Sequence, residues 1–168
     1  TNTSDSLGLV GSWDYDDGNK TLEVDANGNR TVHVYNALSQ LTRSELPEQR
    51  TMVYVPDLMG NRTSVTDPMA GETGYRYDEL NRVIEMTDAR KKVREFKYDK
   101  VGNKTHEIDP YKRETVTEYD ELNRPKKVTD ALKQEMTFEY DLGGNKKVEV
   151  NKRAIKSTFE YDAMDRLT

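Results

Sequence analysis

Seven aspartates, Asp16, Asp57, Asp78, Asp99, Asp120, Asp141 and Asp162, recur along the chain, the last six at steps of 21 residues. Stacked carboxylates beside backbone carbonyls are the donor set of a hard cation, so a calcium ladder is the first chemistry to weigh. The local pattern weighs against it. No Asp-x-Asp-x-Asp cluster occurs, and the neighbouring Gly and Asn belong to turns, where an Asp side chain binds the backbone N–H two residues on. The aspartates therefore read as turn caps, and no metal site is assigned. His33 and His106 lie 73 residues apart with no nucleophile pattern beside them, so no catalytic residue is assigned and no cofactor is expected. The chain has no Cys, which removes thiolate chemistry and any disulfide framework. The recurrent Tyr and Phe could stack on sugars in a groove or form the packed face of a sheet. Their alternation with polar residues favours packing.

The elements that position these residues are repeats. Tyr15, Tyr35, Tyr77, Tyr98, Tyr119, Tyr140 and Tyr161 are anchors, each but Tyr35 followed by Asp, and Pro56-Asp57 fills the vacant slot. A fixed period in this range marks a repeat architecture in which neighbouring units bury a shared surface. Residues 1–12 read as a leader or incomplete repeat and 13–168 as about eight repeats. Two flavours alternate, so the full period is 42 residues. One reads Tyr-Asp-x-x-Gly-Asn-Lys, with Gly102-Asn103 and Gly144-Asn145 as clear copies. The other reads Tyr-Asp-x-Leu-Asn-Arg, as in Tyr77 to Arg82 and Tyr119 to Arg124.

Each unit reads as strand, turn, strand, turn. In Met136-Thr137-Phe138-Glu139-Tyr140, Met136, Phe138 and Tyr140 share one face while Thr137 and Glu139 share the other. The residues two before the anchors, His33, Tyr54, Tyr75, Phe96, Thr117, Phe138 and Phe159, form a mostly aromatic column on the packed face. Those one before, such as Glu118, Glu139 and Glu160, form the solvated face. Lone Trp13 reads as a cap over the first repeat's edge. After each anchor the turn is carried by Asp78, Asp99, Asp120 or Asp141, with Gly and Asn supplying positive φ. A second strand ends at Asp67, Asp88, Asp109, Asp130 or Asn151, eleven residues after the anchor, and sustained helical periodicity is absent. The fold expected is all-β: tandem 21-residue strand-turn-strand units in an open, curved antiparallel sheet.

Hydrophobic residues make up only 33% of the chain and charged ones 34%, a balance that by itself leans toward disorder. The regular aromatic spacing argues instead for a thin core of amphipathic rings. Twenty-six basic and 31 acidic residues are interspersed without a basic stripe, which excludes the usual nucleic-acid footprint. No apolar run approaches the roughly 18 residues of a membrane span.

The residues Tyr-Asp-x-x-Gly-Asn, Tyr-Asp-x-x-Asn-Arg and the later Asp, recurring together from Tyr15 to the C-terminus, resemble the YD-repeat or Rhs-repeat family. That family occurs in bacterial polymorphic toxins, in the shells of insecticidal toxin complexes and in teneurins. The resemblance implies a ribbon of strands spiralling into a hollow β-shell. It further implies a secreted or cell-surface protein, bacterial in source, whose shell encloses or presents a C-terminal toxin or other polypeptide. Catalysis is not expected. The alternative is an extracellular adhesion module that binds carbohydrate or protein. Partners then include neighbouring repeats, an enclosed toxin polypeptide and a glycan, together with weak end-to-end self-association through exposed strand edges at Ser157 to Tyr161.

Two departures from the family pattern matter. Its second turn reads Asp-x-x-Gly, as in Asp25 to Gly28, whereas Lys91, Lys112, Lys133 and Ala154 occupy that Gly slot elsewhere. Those turns must change geometry or carry strain. Pro47 and Pro56 argue for an edge or irregular strand between the second and third anchors.

Overall fold

The computed structural model describes residues 2–4 and 10–168, with side chains from Gly11 onward. Thr1 and residues 5–9 of the expected leader lie outside the described residues. The chain divides into two units, Thr1–Lys92 and Val93–Thr168. Unit 1 holds nine strands: β1 Asn2–Ser4, β2 Val10–Asp16, β3 Asn19–Val24, β4 Arg30–Tyr35, β5 Leu41–Leu46, β6 Arg50–Pro56, β7 Arg62–Thr66, β8 Glu72–Tyr77 and β9 Val83–Thr87. Unit 2 holds seven: β10 Val93–Tyr98, β11 Lys104–Ile108, β12 Glu114–Tyr119, β13 Pro125–Thr129, β14 Glu135–Tyr140, β15 Lys146–Val150 and β16 Lys156–Thr158. Within each unit every strand pairs antiparallel with the next in sequence, and the first strand does not meet the last. Each unit is thus an open meander, all-β apart from a short 3-10 turn at Pro47–Gln49.

The pairing alternates between two kinds. Across each Tyr-Asp turn the ladder is long and contains a bulge immediately before the anchor, as between Lys97 and Tyr98, Glu118 and Tyr119, and Glu139 and Tyr140. The extra residue lies on the following strand. Where it is Thr, at Thr21, Thr42, Thr63 and Thr105, its hydroxyl donates to the carbonyl of the residue before the anchor. Across the other turn the ladder is three pairs in most cases, as in His106↔Val116 to Ile108↔Glu114, and stops short of the anchors. Adjacent hairpins are therefore unladdered at their Tyr-Asp ends. Bulges re-aim side chains at such sites.

Pro56 fits this scheme. It ends β6, a central strand, but the ladder to β5 stops at Arg43↔Val53, so the N–H it lacks would have had no ladder partner. Of the expected edge or irregular strand, the edge is corrected, while the register does shift between Val55 and Pro56 and Pro47 opens an irregular turn. Trp13 is no edge cap either. It occupies the position two before Tyr15, opposite Glu23, and β1 pairs beyond it with Val10 to Ser12.

The core is thinner than the alternation predicts. Among the described residues only Val148, at 6% exposure, and Ser44, at 3%, are buried, and no side chain is fully so. Phe96, Phe138, Phe159, Tyr54 and Tyr75 are half-buried. Val148 sits opposite Glu139, on the face expected to be solvated. The expected wet positions Val55, Arg76, Lys97, Glu118, Glu139 and Glu160 are exposed, yet Val148 makes that face the more buried at one point, so the division into a dry face and a wet face holds only in part. A single layer has no partner layer to dry either face, so each is covered only by its own side chains.

Candidate functional site: the Tyr-Asp edge

Both kinds of turn share one hydrogen-bond scheme. In the turn from Asp141, its N–H donates to the Asn145 carbonyl and the Gly144 N–H donates back to the Asp141 carbonyl. The Asp141 Oδ1 accepts the Asn145 N–H at 2.8 Å, and its Oδ2 accepts the Asn145 side-chain amide at 3.3 Å. The turns from Asp57, Asp78, Asp99, Asp120 and Asp162 are built alike. Their Oδ1 accepts two or more backbone N–H groups and their Oδ2 accepts Asn or Arg four residues on. Asp16 is the exception, because its unit is one residue short. Asp17 and Gly18, both with positive φ, close a two-residue hairpin there.

The opposite turns use the same scheme. Asp25, Asp67, Asp88, Asp109, Asp130 and Asn151 each accept two backbone N–H groups. Lys91, Lys112, Lys133 and Ala154 stand at φ 59, 60, 61 and 58, where Gly28 stands at 80. The geometry is conserved and the strain is accepted, since a non-Gly residue in the left-handed region costs roughly 1–2 kcal/mol.

These carboxylates are held below the usual aspartate range. The side chain four residues on is the main cause at Asp57 (Asn61), Asp78 (Arg82), Asp109 (Arg113) and Asp162 (Arg166). The backbone N–H four residues on leads at Asp120 and Asp141. At Asp99 desolvation pushes upward, and the bonds from Asn103 and the turn N–H groups outweigh it. No group of three or more His, Cys, Asp or Glu among the described residues is arranged to hold a metal ion. The turn Asp side chains instead bond mainly within their own turns, while Asp130 also takes Lys152 of the next turn on its edge at 2.6 Å.

The unladdered gap between hairpins is bridged by the anchors. Tyr35, Tyr77, Tyr119, Tyr140 and Tyr161 donate their hydroxyls to the carbonyls of Lys20, Arg62, Lys104, Pro125 and Lys146, each 15 residues back, at 2.8–3.1 Å. Tyr98 is also partnered. Tyr15, by contrast, is 56% exposed. The turns themselves are linked at the 42-residue period. Asn19, Asn61, Asn103 and Asn145 donate their amides to Ser39, Asn81, Asn123 and Asp165, at 2.7–3.2 Å. Gln40 and Arg124 reach onward to the carbonyls of Asp57 and Asp141.

A second motif was not anticipated from sequence. At three Gly-Asn turns the first residue of the following strand lies over the ring two before the anchor: Arg62 over Tyr54 at 4.6 Å, Lys104 over Phe96 at 5.3 Å and Lys146 over Phe138 at 5.9 Å. Lys104 and Lys146 also pair with Glu107 and Glu149, which stand opposite those rings. The signal was present as Lys-x-x-Glu after Gly-Asn. His33 and Ser44 form a side-chain pair at 3.0 Å, with Ser44 buried and no acidic third member in hydrogen-bond contact with them. Among the described residues His106 bonds its neighbour Thr105 at that range.

Three clefts of about 360, 550 and 560 Å³ open on successive Gly-Asn turns of this edge. Asn19, Asn61 and Asn103 line them with Tyr35, Tyr77 and Tyr119 respectively.

The RHS Repeat family model matches residues 57–93 and 77–114, a stretch that includes the Tyr77 hydroxyl bond and the Asn61–Asn81 rung. That stretch of the chain is similar to RHS repeats. A comparison with curated protein sequences gives no significant match. Among solved structures, the repeats resemble the TcdB2-TccC3-Cdc42 crystal structure with a TM-score of 0.77 and 19% identity, over 95% of this chain and 10% of that one. The Photorhabdus luminescens Tc holotoxin pore gives a TM-score of 0.77 at 18% identity, and TcdB2-TccC3 gives 0.76 at 19%, with the same coverage. At this identity the likeness shows the fold, and the chain spans about a tenth of the length of those chains.

Proposed function

We propose that these RHS repeats form a non-catalytic wall segment of a β-shell that encloses or presents another polypeptide, in a secreted or surface-exposed bacterial protein. The observation that carries this reading is the consistent use of chemistry-bearing side chains for construction. The turn carboxylates cap turns, the anchor hydroxyls bridge hairpins and the lysines cover rings. The likeness of fold to Tc toxin structures supports it, as does the RHS Repeat match. No helix among the described residues is long and apolar enough to cross a membrane. Limited proteolysis of the full-length gene product tests the reading. An enclosed polypeptide should resist protease until the repeats are denatured. Cleavage of every segment at the rate of a free peptide would refute it.

A second reading rests on the three clefts. Each places amide, carboxylate and hydroxyl groups beside a tyrosine ring, the side-chain set that recognises a saccharide. The full chain on a glycan array, with Asn103→Ala as the control, separates this adhesion reading from the shell.

A further inference from the structure

In unit 2 the hairpin turns alternate between two opposite sheet edges, and the edges differ in charge. The four turns of the Tyr-Asp edge, 99–103, 120–124, 141–145 and 162–166, hold six carboxylates against three cations, a net −3. The three turns of the other edge, 109–113, 130–134 and 151–155, hold two carboxylates against five cations, a net +3. Glu121 on the first edge, and Lys133 and Arg153 on the second, are exposed and make no ion pair among the described residues. One step back from the tips the net signs reverse, with Lys104 and Lys146 (+2) behind the acidic edge and Glu114, Glu135 and Lys156 (−1) behind the basic one. Tip faces tip and second row faces second row with opposite charge only when unlike edges meet.

Shape and polarity agree with charge. The tips present exposed apolar side chains, Val101 and Leu122 on the acidic edge and Tyr111 and Leu132 on the basic one. Between successive tips each edge has a notch, about 560 Å³ beside Val101 on one edge and about 360 Å³ beside Leu132 on the other. Both rows of tips fall on every second strand, so their spacings match.

We propose that unit 2 docks side by side on a second copy of this chain, the acidic turn edge of one copy against the basic turn edge of the other. Such a contact joins two different surfaces and leaves one of each open, so it propagates beyond a dimer. It differs from pairing through strand edges, which is held by backbone hydrogen bonds and is little affected by salt.

Sedimentation velocity of the full chain over a wide concentration range tests the proposal. Association should be evident at low salt and recede as salt screens the tips. Lys133→Glu with Arg153→Glu should weaken it by at least about tenfold by setting like charges against each other. Glu121→Lys with Asp165→Asn should do the same from the other edge, and mixing the two variants should restore association. Circular dichroism confirms that each variant keeps its sheet. The proposal is overturned by a strict monomer at low salt. Association that resists salt, or that survives both pairs of substitutions, overturns it equally and assigns the contact to strand edges.

Discussion

The anchor tyrosines offer a test in which one atom is removed. In Tyr140→Phe the ring stays beneath Arg124, whose guanidinium lies 4.4 Å from its centroid, and only the hydroxyl bonded to the Pro125 carbonyl at 2.8 Å is lost. That carbonyl lies beyond the β13–β14 ladder, which ends at Lys127↔Thr137, so no backbone N–H of β14 can replace the hydroxyl. A neutral hydrogen bond contributes about 0.5–1.5 kcal/mol net, and the site is half-exposed, so the lower part of that range is expected. Tyr140→Ala also removes a half-buried ring. Losing roughly 100 Å² of apolar burial at ~25 cal/mol/Å² adds about 2.5 kcal/mol, for a total near 3 kcal/mol. Tyr15 is the internal control, because it is 56% exposed. Tyr15→Phe should fall within about ±0.5 kcal/mol, as at ordinary surface sites. Urea unfolding gives the free energies, and hydrogen exchange along β13 and β14 locates the loss. Equal effects at Tyr15 and Tyr140, or a Phe variant as damaged as the Ala variant, would refute the bridging role.

Other perturbations follow from the turns. The turn aspartates have folded pKa values below their unfolded value, so they bind fewer protons when folded and their contribution is present at neutral pH. It should be lost as pH falls from about 4 downward, and sheet content by circular dichroism that stays flat through that range would contradict this. Gly144→Ala meets open space but holds φ at 93, so strain alone should cost about 1–2 kcal/mol by urea unfolding; Lys133→Gly relieves the equivalent strain and should be neutral to stabilising. Asn103→Ala removes both the bond to Asp99 and the rung to Asn123, and should raise amide exchange in both turns while leaving the turn from Asp141 unchanged.

Much of this fold was legible because the repeat writes the same instruction many times. The 21-residue spacing and the Asp-x-x-Gly-Asn and Asp-x-Leu-Asn strings place the hairpins. The strands fall where alternation puts them, as at Glu135–Tyr140 and Lys146–Val150. What alternation could not convey is depth. Period-2 patterning separates faces, but a face is dry only if a second layer covers it, and Val148 opposite Glu139 shows that here neither face holds a conventional core. Nor could single positions reveal bonds that span repeats. Tyr140 to Pro125 and Asn145 to Asp165 join residues 15 and 20 apart in sequence, and only the pairing register brings them together. The leucine of Tyr-Asp-x-Leu-Asn-Arg is an instructive case. Leu80 and Leu122 are apolar by type, and both project from turn tips, 67% and 69% exposed.

Those exposed leucines bear on how a chain with as many charged as hydrophobic residues stays ordered. Burial is modest throughout, so order must come from elsewhere. Each turn satisfies its own backbone through one carboxylate, which removes the need to hide turn N–H groups in a core. Each Tyr-Asp end then ties to the next hairpin by an anchor hydroxyl, an Asn rung or an Arg reaching a carbonyl. Lys and Glu cover the rings with aliphatic stems while keeping their charges in water. Stability is thereby distributed along the ribbon in nearest-neighbour increments, as in other repeat proteins. A wall built this way can be lengthened without enlarging a core. It also leaves its turn tips free to vary, as at the slot held in successive turns by Met69, Arg90, Tyr111, Leu132 and Arg153.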